Sequence, residues 1–356
     1  MTRCTRHAIW TARAMLVTAV VWSGCAELAA KEHAPAAIQA GAVLRGIALD
    51  RATEDRVLAL DPDHISEREL QATLALAPAP RIIHLQGSVP LVTMRPFAEF
   101  LIAMGYPPER LRNPRDGAYS YSSFVDSRQL AGVLAWHYER EGMVPMLVGH
   151  SRGGMLTTQV LQDLADTSGD RIAVWNPLTD AHDGRFVIVD PLTGAARTVV
   201  GLQVPYATAL ATGSVMRVVL GEWGMLSRLR SVPDTVGEFT GFFIEWDPVA
   251  GTFPGSANSN PYRPTGSAAV RNVTLPSDYG HVSLPLTTHL AANPVTRTWI
   301  SRYSPRGEQL ALPNGDNLDL RNILHAADIW YSVKKHWCLE AQRLIRAKRR
   351  LVETQN

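Results

Sequence analysis

Residues Val144 to Leu161 read "VPMLVGHSRGGMLTTQVL", and Ser151 stands at their sharpest point. An apolar run stops at Gly149, the serine follows two residues later, and Gly153 and Gly154 precede a helix-like pattern. A serine set between a strand end and a helix start must sit on a very tight turn. Such a turn strains φ and ψ at the serine and leaves no room for side chains beside it, which glycine alone satisfies. The turn lifts the hydroxyl out of the sheet edge and aims the free N–H groups of the next helix at it. That is the placement an exposed oxygen nucleophile requires, and Gly149-His150-Ser151-Arg152-Gly153 has the G-x-S-x-G form of a strand–turn–helix nucleophile.

A turn of this kind needs a sheet to hold it. Short apolar runs alternate with helical patterns from about residue 81 to residue 166. "RIIHLQGSVP" reads as a strand entering a glycine turn, "MRPFAEFLIAMG" as a helix with Pro96 near its start and Gly105 at its end. "DSRQLAGVLAWHYEREG" is a helix closed by Gly142, "VPMLV" a strand, and "MLTTQVLQDLAD" the helix after the serine. Alternation of this type implies parallel strands with helical crossovers, and continuous apolar strands imply cover on both faces. Before this stretch, "AVLRGIALD" and "RVLAL" are expected to be short strands. "SERELQATLAL" is expected to be a helix with a capping box, Ser66 facing Glu69. After it, "RIAVW" and "RFVIVDPLTGAARTVVGL" predict β-hairpins, with "DPLTG" as a turn. "YATALATG" predicts a return to the main sheet. "EFTGFFIEWD" and "AVRNVTL" predict its last strands, and one or two helices follow Asn317. The closing "RLIRAKRRLVETQN" is expected to be a solvated basic face.

"LVGHSRGG" resembles the nucleophile elbow of the α/β-hydrolase superfamily, in its esterase and lipase members. The resemblance covers most of residues 81–290 in element order, and its sharp part is a few short motifs. It implies an α/β-hydrolase fold: a mostly parallel, eight-stranded central sheet flanked by helices, here with a β-hairpin insertion at about 167–235 and a helical cap. It also implies a Ser–acid–His triad in that chain order, with the histidine in a loop after the last strand. In "VRNVTLPSDYGHVSLP" that histidine is His281; His289 and His325 are the rivals, while His84 and His137 read as core or neighbouring residues. His150, inside the elbow, is expected to point away from the site. The acid should follow the preceding strand, which makes it Asp247 of "FTGFFIEWDPVAG", with Glu245, Asp278 and Asp234 as alternatives.

The oxyanion of such a reaction needs preorganised N–H donors. The resemblance assigns one to the backbone of Arg152 and the other to the turn after "IIHLQG", where Ser88 is the expected donor and Gln86 or Val89 the alternatives. Gln86 stands where the family commonly has histidine, and Arg152 where its lipases commonly have glutamine. The Arg152 side chain is expected to lie in a salt bridge on the helix surface. Gln86, Tyr119, Tyr121 and Trp223 are the candidates for the substrate pocket. Trp223 falls in "SVMRVVLGEWGMLSRLR", where the superfamily inserts its cap; Val215, Val218, Val219 and Leu226 of that helix could line an acyl pocket. The expected reaction is hydrolysis of a small-molecule or lipid carboxylic ester through an acyl-enzyme. Acyl transfer or peptide cleavage on the same fold is the alternative, and a non-catalytic binding protein retaining the fold is the alternative of another class.

Bulk composition adds limits. The 356 residues carry a net charge of +2 with no charged block through the middle, which gives no electrostatic reason to expect nucleic acid. The chain shows no H-E-x-x-H, no Cys-x-x-Cys and no phosphate loop, and the expected chemistry calls for neither a metal nor an organic cofactor. Residues 1–26 follow the plan of a secretory signal: three arginines and no acid, the apolar "AMLVTAVVW", then the small residues of "SGCAELAA". A tether over 27–42 and one domain over 43–356 would follow, in a periplasmic or secreted protein. "WSGC" is similar to the bacterial lipoprotein box, which would attach the chain to a membrane through lipid on Cys25. Three cysteines, Cys4, Cys25 and Cys338, exclude a disulfide framework, and Cys338 reads as a packing residue.

Overall fold

The computed structural model describes residues 41–168, 171–213, 228–253, 260–307, 310–315 and 318–354. The expected signal at 1–26, Cys25, most of the tether and the cap stretch 214–227 with Trp223 lie outside them.

The elements in chain order begin with helices α1 (Arg51–Ala59) and α2 (Glu67–Ala72), strand β1 (Ile82–Leu85) and helix α3 (Arg95–Ala103). Helix α4 (Ser127–Glu141), strand β2 (Met146–His150) and helix α5 (Arg152–Ala165) follow. Two short hairpins come next, β3 (Trp175–Asn176) with β4 (Ala181–His182), and β5 (Val187–Val189) with β6 (Ala196–Thr198). The chain continues through β7 (Val204–Leu210), β8 (Ser231–Val232), β9 (Val236–Ile244), β10 (Arg263–Pro264) and β11 (Ala269–Leu275). It ends in α6 (Thr288–Ala292), α7 (Pro294–Arg302) and the long α8 (Ile323–Glu353).

The fold is α/β. Five strands form one central sheet in the order β1-β2-β7-β9-β11, all parallel. Because all five strands run parallel, every strand ends on the same edge, and the loops after Leu85, His150, Leu210, Ile244 and Leu275 gather there. Alternate residues bury on opposite faces, as the two-residue period demands. Leu147, Phe239 and Phe243 pack with α4 and α5, while Met146, Val148 and Phe242 pack with α3 and α8. The 31-residue α8 buries Trp330, Trp337 and Cys338 against the sheet, and Cys338 is a packing residue as its position implied.

The sheet has five strands among the described residues, where eight were expected. "RVLAL" is not a strand but largely part of α1, and residues 42–45 of "AVLRGIALD" are helical. Asp50 decides this locally: its carboxylate accepts the Thr53 N–H at 2.8 Å and caps α1. The outer edge of β1 is met instead by a one-residue bridge from Tyr121 to Leu85. The capping box of Ser66 and Glu69 forms, as do the two hairpins, the second turned by Asp190 and Gly194. The helices α6 and α7 were not anticipated, although Asn293 before Pro294 is a start signal. The basic end of α8 is not simply a solvated face. Lys348 and Arg349 both pair with buried Glu54 at 2.8 Å, and Leu344 and Ile345 are core.

Candidate active site

Ser151 caps the start of α5 with φ 53° and ψ −117°, a conformation that L side chains rarely adopt. Its neighbours explain how that strain persists. A Cβ on Gly149 would lie 2.4 Å from the Gly153 backbone; one on Gly153 would lie 2.1 Å from the Leu85 carbonyl oxygen. The helix start is thus seated directly on the end of β1. The Ser151 N–H donates to Leu210 O at 2.8 Å, and its carbonyl accepts the Thr212 hydroxyl at 3.1 Å. One main-chain bond to the end of β7 and one hydroxyl just beyond it therefore hold the turn, with the glycine seating on β1 opposite.

The loops after β9 and β11 bring the expected partners to it. His281 Nε2 lies 2.9 Å from Ser151 Oγ, and His281 Nδ1 lies 2.6 Å from Asp247 Oδ2. A carboxylate only accepts, so Nδ1 carries the imidazole proton and Nε2 faces the hydroxyl as an acceptor. Asp247 is 1% exposed; its other oxygen takes the Ala250 N–H at 2.9 Å, and its main chain pairs with Thr252 in both directions. The rivals go elsewhere. Glu245 and Asp278 are exposed, and Asp234 caps Ser267 and Ala268. His289 faces Arg321 O, and His325 is buried against Leu284 O at 3.0 Å.

His150 does not point away from this group. Its Nε2 donates to the His281 carbonyl at 2.8 Å, and the two rings stand 5.1 Å apart. Burial, with the nearby His281 charge second, pushes the His150 pKa down to about 4, so the ring is neutral beneath the His281 main chain it supports. Further support comes from the far end of the chain. Asn322, in the left-handed region at φ 67°, donates to Ser283 O at 2.7 Å and Leu286 O at 3.0 Å. With His325 it fastens the 280–286 loop to the start of α8. No local pattern signals these two residues or Thr212; they matter only through contacts made far along the chain.

The turn after β1 closes the other side. Gly87 abuts the serine, since a Cβ there would lie 3.2 Å from Ser151 Cβ, and half-buried Ser88 follows it. The N–H of Gln86 is engaged by Tyr121 O at 3.0 Å, and its side-chain oxygen by the Ser120 hydroxyl at 2.9 Å. The Arg152 guanidinium lies 4.3 Å over the Phe124 ring and donates to Ser123 O. Tyr119 packs against the core beneath the Arg112 guanidinium, and Tyr121 extends the edge of β1, so neither ring is gathered with the triad residues. The loops around the serine expose apolar side chains: Leu91, Phe124, Trp246, Phe253, Val282 and Leu286. Among the described residues no group of three or more His, Cys, Asp or Glu could hold a metal ion, and no helix is long and apolar enough to cross a membrane.

Comparison of the chain with protein-family models, with curated proteins and with solved structures finds no match.

Proposed function

We propose that the protein is a serine hydrolase of carboxylic esters, built on an α/β-hydrolase fold and acting through Ser151, His281 and Asp247. The observation that carries this reading is the unbroken chain of two short hydrogen bonds, Ser151 Oγ to His281 Nε2 and His281 Nδ1 to Asp247 Oδ2, ending at a hydroxyl held in a strained turn. In the proposed reaction the Ser151 oxygen bonds to the ester carbonyl carbon as its proton passes to His281 Nε2. Asp247 holds the imidazole in the correct tautomer and stabilises the imidazolium. The oxyanion is received by the N–H groups of Arg152 and Ser88. Collapse breaks the bond to the alcohol oxygen, which leaves with the proton from His281. Water, deprotonated by the same histidine, then releases the acid. The exposed apolar rim favours an ester with an apolar acyl portion over a peptide. The signal-like first 26 residues support export to the periplasm or beyond, and Cys25 offers a lipid attachment point there.

Labelling with a fluorophosphonate tests the reading: the natural chain takes one label, and Ser151→Ala takes none and loses hydrolysis of p-nitrophenyl esters. Asp247→Asn keeps the label slowly and loses about 10⁴-fold in kcat, the cost of a wrong tautomer in serine proteases. Full esterase activity in Ser151→Ala would overturn the assignment.

A further inference from the structure

A hollow lies on the outer side of β1, lined by none of Ser151, His281 and Asp247. It has a volume of about 340 Å³ and is formed by the 113–122 loop, the start of α4 and the β3–β4 hairpin. That size is at the small end of ligand sites, which run from about 300 to 1,000 Å³. We propose that it is a saccharide subsite, and that it holds the alcohol portion of an ester presented to Ser151; the second half rests on the serine-hydrolase reading.

The aromatic wall is Trp175 and Tyr121. The indole is locked in place: its Nε1–H donates to Asp180 Oδ1 at 3.2 Å, the same oxygen takes Gln129 Nε2 at 3.1 Å, and Arg115 pairs with the other oxygen. Asp180 adopts φ 54° to make these contacts, a strained conformation at a non-glycine residue and the kind that gathers at functional sites. A fixed, amphipathic aromatic face suits a ring whose one side is C–H and whose rim is hydroxyl. The polar groups fit the same ligand. Arg115 and Asp180 neutralise each other, which leaves the hollow with no uncompensated cation and the carboxylate of Asp116 at its wall. A phosphate or carboxylate would meet repulsion there. A neutral polyol would find an acceptor in Asp116 and a hydroxyl partner in Ser122.

The hollow is tied to the reacting centre by its own wall. Ser120 donates to Gln86, Tyr121 pairs with the end of β1, and Gly87 abuts Ser151. Two strand spacings, roughly 10 Å, separate Tyr121 from β2 across the sheet edge, so the hollow on its outer side stands somewhat farther than that from the nucleophile. An ester on a sugar bound there, or on a unit joined to it, can reach Ser151 while the acyl portion lies along the apolar rim.

The test uses the full chain carrying Ser151→Ala, titrated with methyl glucopyranoside, maltose and cellobiose, and read by tryptophan fluorescence and calorimetry. At least one neutral sugar should bind with a Kd of about 1 mM, and glucose 6-phosphate at least roughly tenfold more weakly. Trp175→Ala, and separately Ser122→Trp, which fills the mouth from an exposed position, should each weaken sugar binding roughly tenfold, while Trp175→Phe restores most of it. Absence of binding up to about 50 mM, or equal binding by Trp175→Ala and Ser122→Trp, overturns the subsite. With Ser151 restored, Trp175→Ala should raise KM for a mono-acetylated methyl glucopyranoside at least fivefold more than KM for ethyl acetate; an equal change overturns the ester half. Sugar binding in a chain that hydrolyses neither these esters nor p-nitrophenyl esters, and takes no fluorophosphonate label, would instead sink the hydrolase reading and leave the subsite standing.

Discussion

The two halves of the hydrogen-bonded pair are held in opposite ways. Ser151 is fixed by main chain: its N–H bonds to β7, and the first turn of its helix touches the end of β1 with no atom to spare. His281 is fixed by side chains drawn from three distant places, His150 beneath its carbonyl, Asp247 at its ring, and Asn322 with His325 behind its loop. A backbone cradle has one arrangement and fails as a whole. A side-chain buttress divides its hold among several bonds, each of which can be removed alone. Ser151 should therefore respond to change abruptly and His281 by degrees.

The sharpest way to break that contrast is Gly153→Ala. The added carbon would overlap the Leu85 carbonyl oxygen, and the nearest atoms are all backbone. Overpacking typically costs about 1–3 kcal/mol, and here no side chain can swing aside, so the loss should sit at or above the top of that range. If the chain still folds, α5 must lift from β1 and carry Ser151 with it, and a displacement of about 1 Å can cost a hundredfold in rate. Thermal unfolding and kcat/KM on a p-nitrophenyl ester measure both. Activity within twofold of the natural chain would show that close seating of α5 is not what places the serine.

The same contrast explains what could be read from the sequence. The elbow was legible because its constraints are local: Gly149, Gly153 and Gly154 stand within three residues of Ser151, and each is needed by geometry. Strands β1, β2, β7 and β9 were legible for a related reason, since strands covered on both faces write continuous apolar runs; the largely exposed edge strand β11 carries no such run. Asp247 and His281 followed from the order of those strands once the resemblance was granted, and the structure brings both to the serine. His150 was misjudged because the pattern gives its position and not its rotamer. Asn322 and His325 were invisible as supports, since nothing near them in sequence mentions residues 280–286. The first two expected strands failed because short apolar runs suit a half-buried helix equally well, and Asp50 capping tipped the balance toward α1.

On the side of the base, Asn322→Gly sharpens the comparison. Glycine accepts the left-handed φ of 67°, so the variant removes only the amide that holds Ser283 O and Leu286 O. Losing those bonds should cost about 1–2 kcal/mol, shared between stability and the placement of His281. A fall of roughly tenfold in kcat with little change in KM is the expected outcome. A loss as complete as that of Gly153→Ala would mean that the buttress also acts as a single unit.

Acid should separate the two sides without mutation. His150 and His325 both bond to carbonyls of the loop that carries the base, and burial holds their pKa values at about 4 and about 3; His84, behind them, is held at about 3. Each ring is neutral in the folded chain, whereas in the unfolded chain it takes up a proton near pH 6.5. The unfolded state therefore binds more protons between about pH 6.5 and 4, and stability falls as the pH drops through that window, by up to about 1.4 kcal/mol per pH unit for each histidine. The carboxylates of Glu141 and Glu238, whose pKa values are held at about 2, add their own loss only below their ordinary range. His325→Gln can keep the bond to Leu284 O while removing one titrating ring, and it should lower the slope of unfolding free energy against pH by about one proton's worth. Urea unfolding from pH 7 to pH 4 measures that slope. Hydrogen exchange over the same range should show amides of 280–286 losing protection before those of 149–154. The serine turn contains one of the three rings, yet the bond that ring makes is to His281 O, so what acid loosens first is the hold on His281.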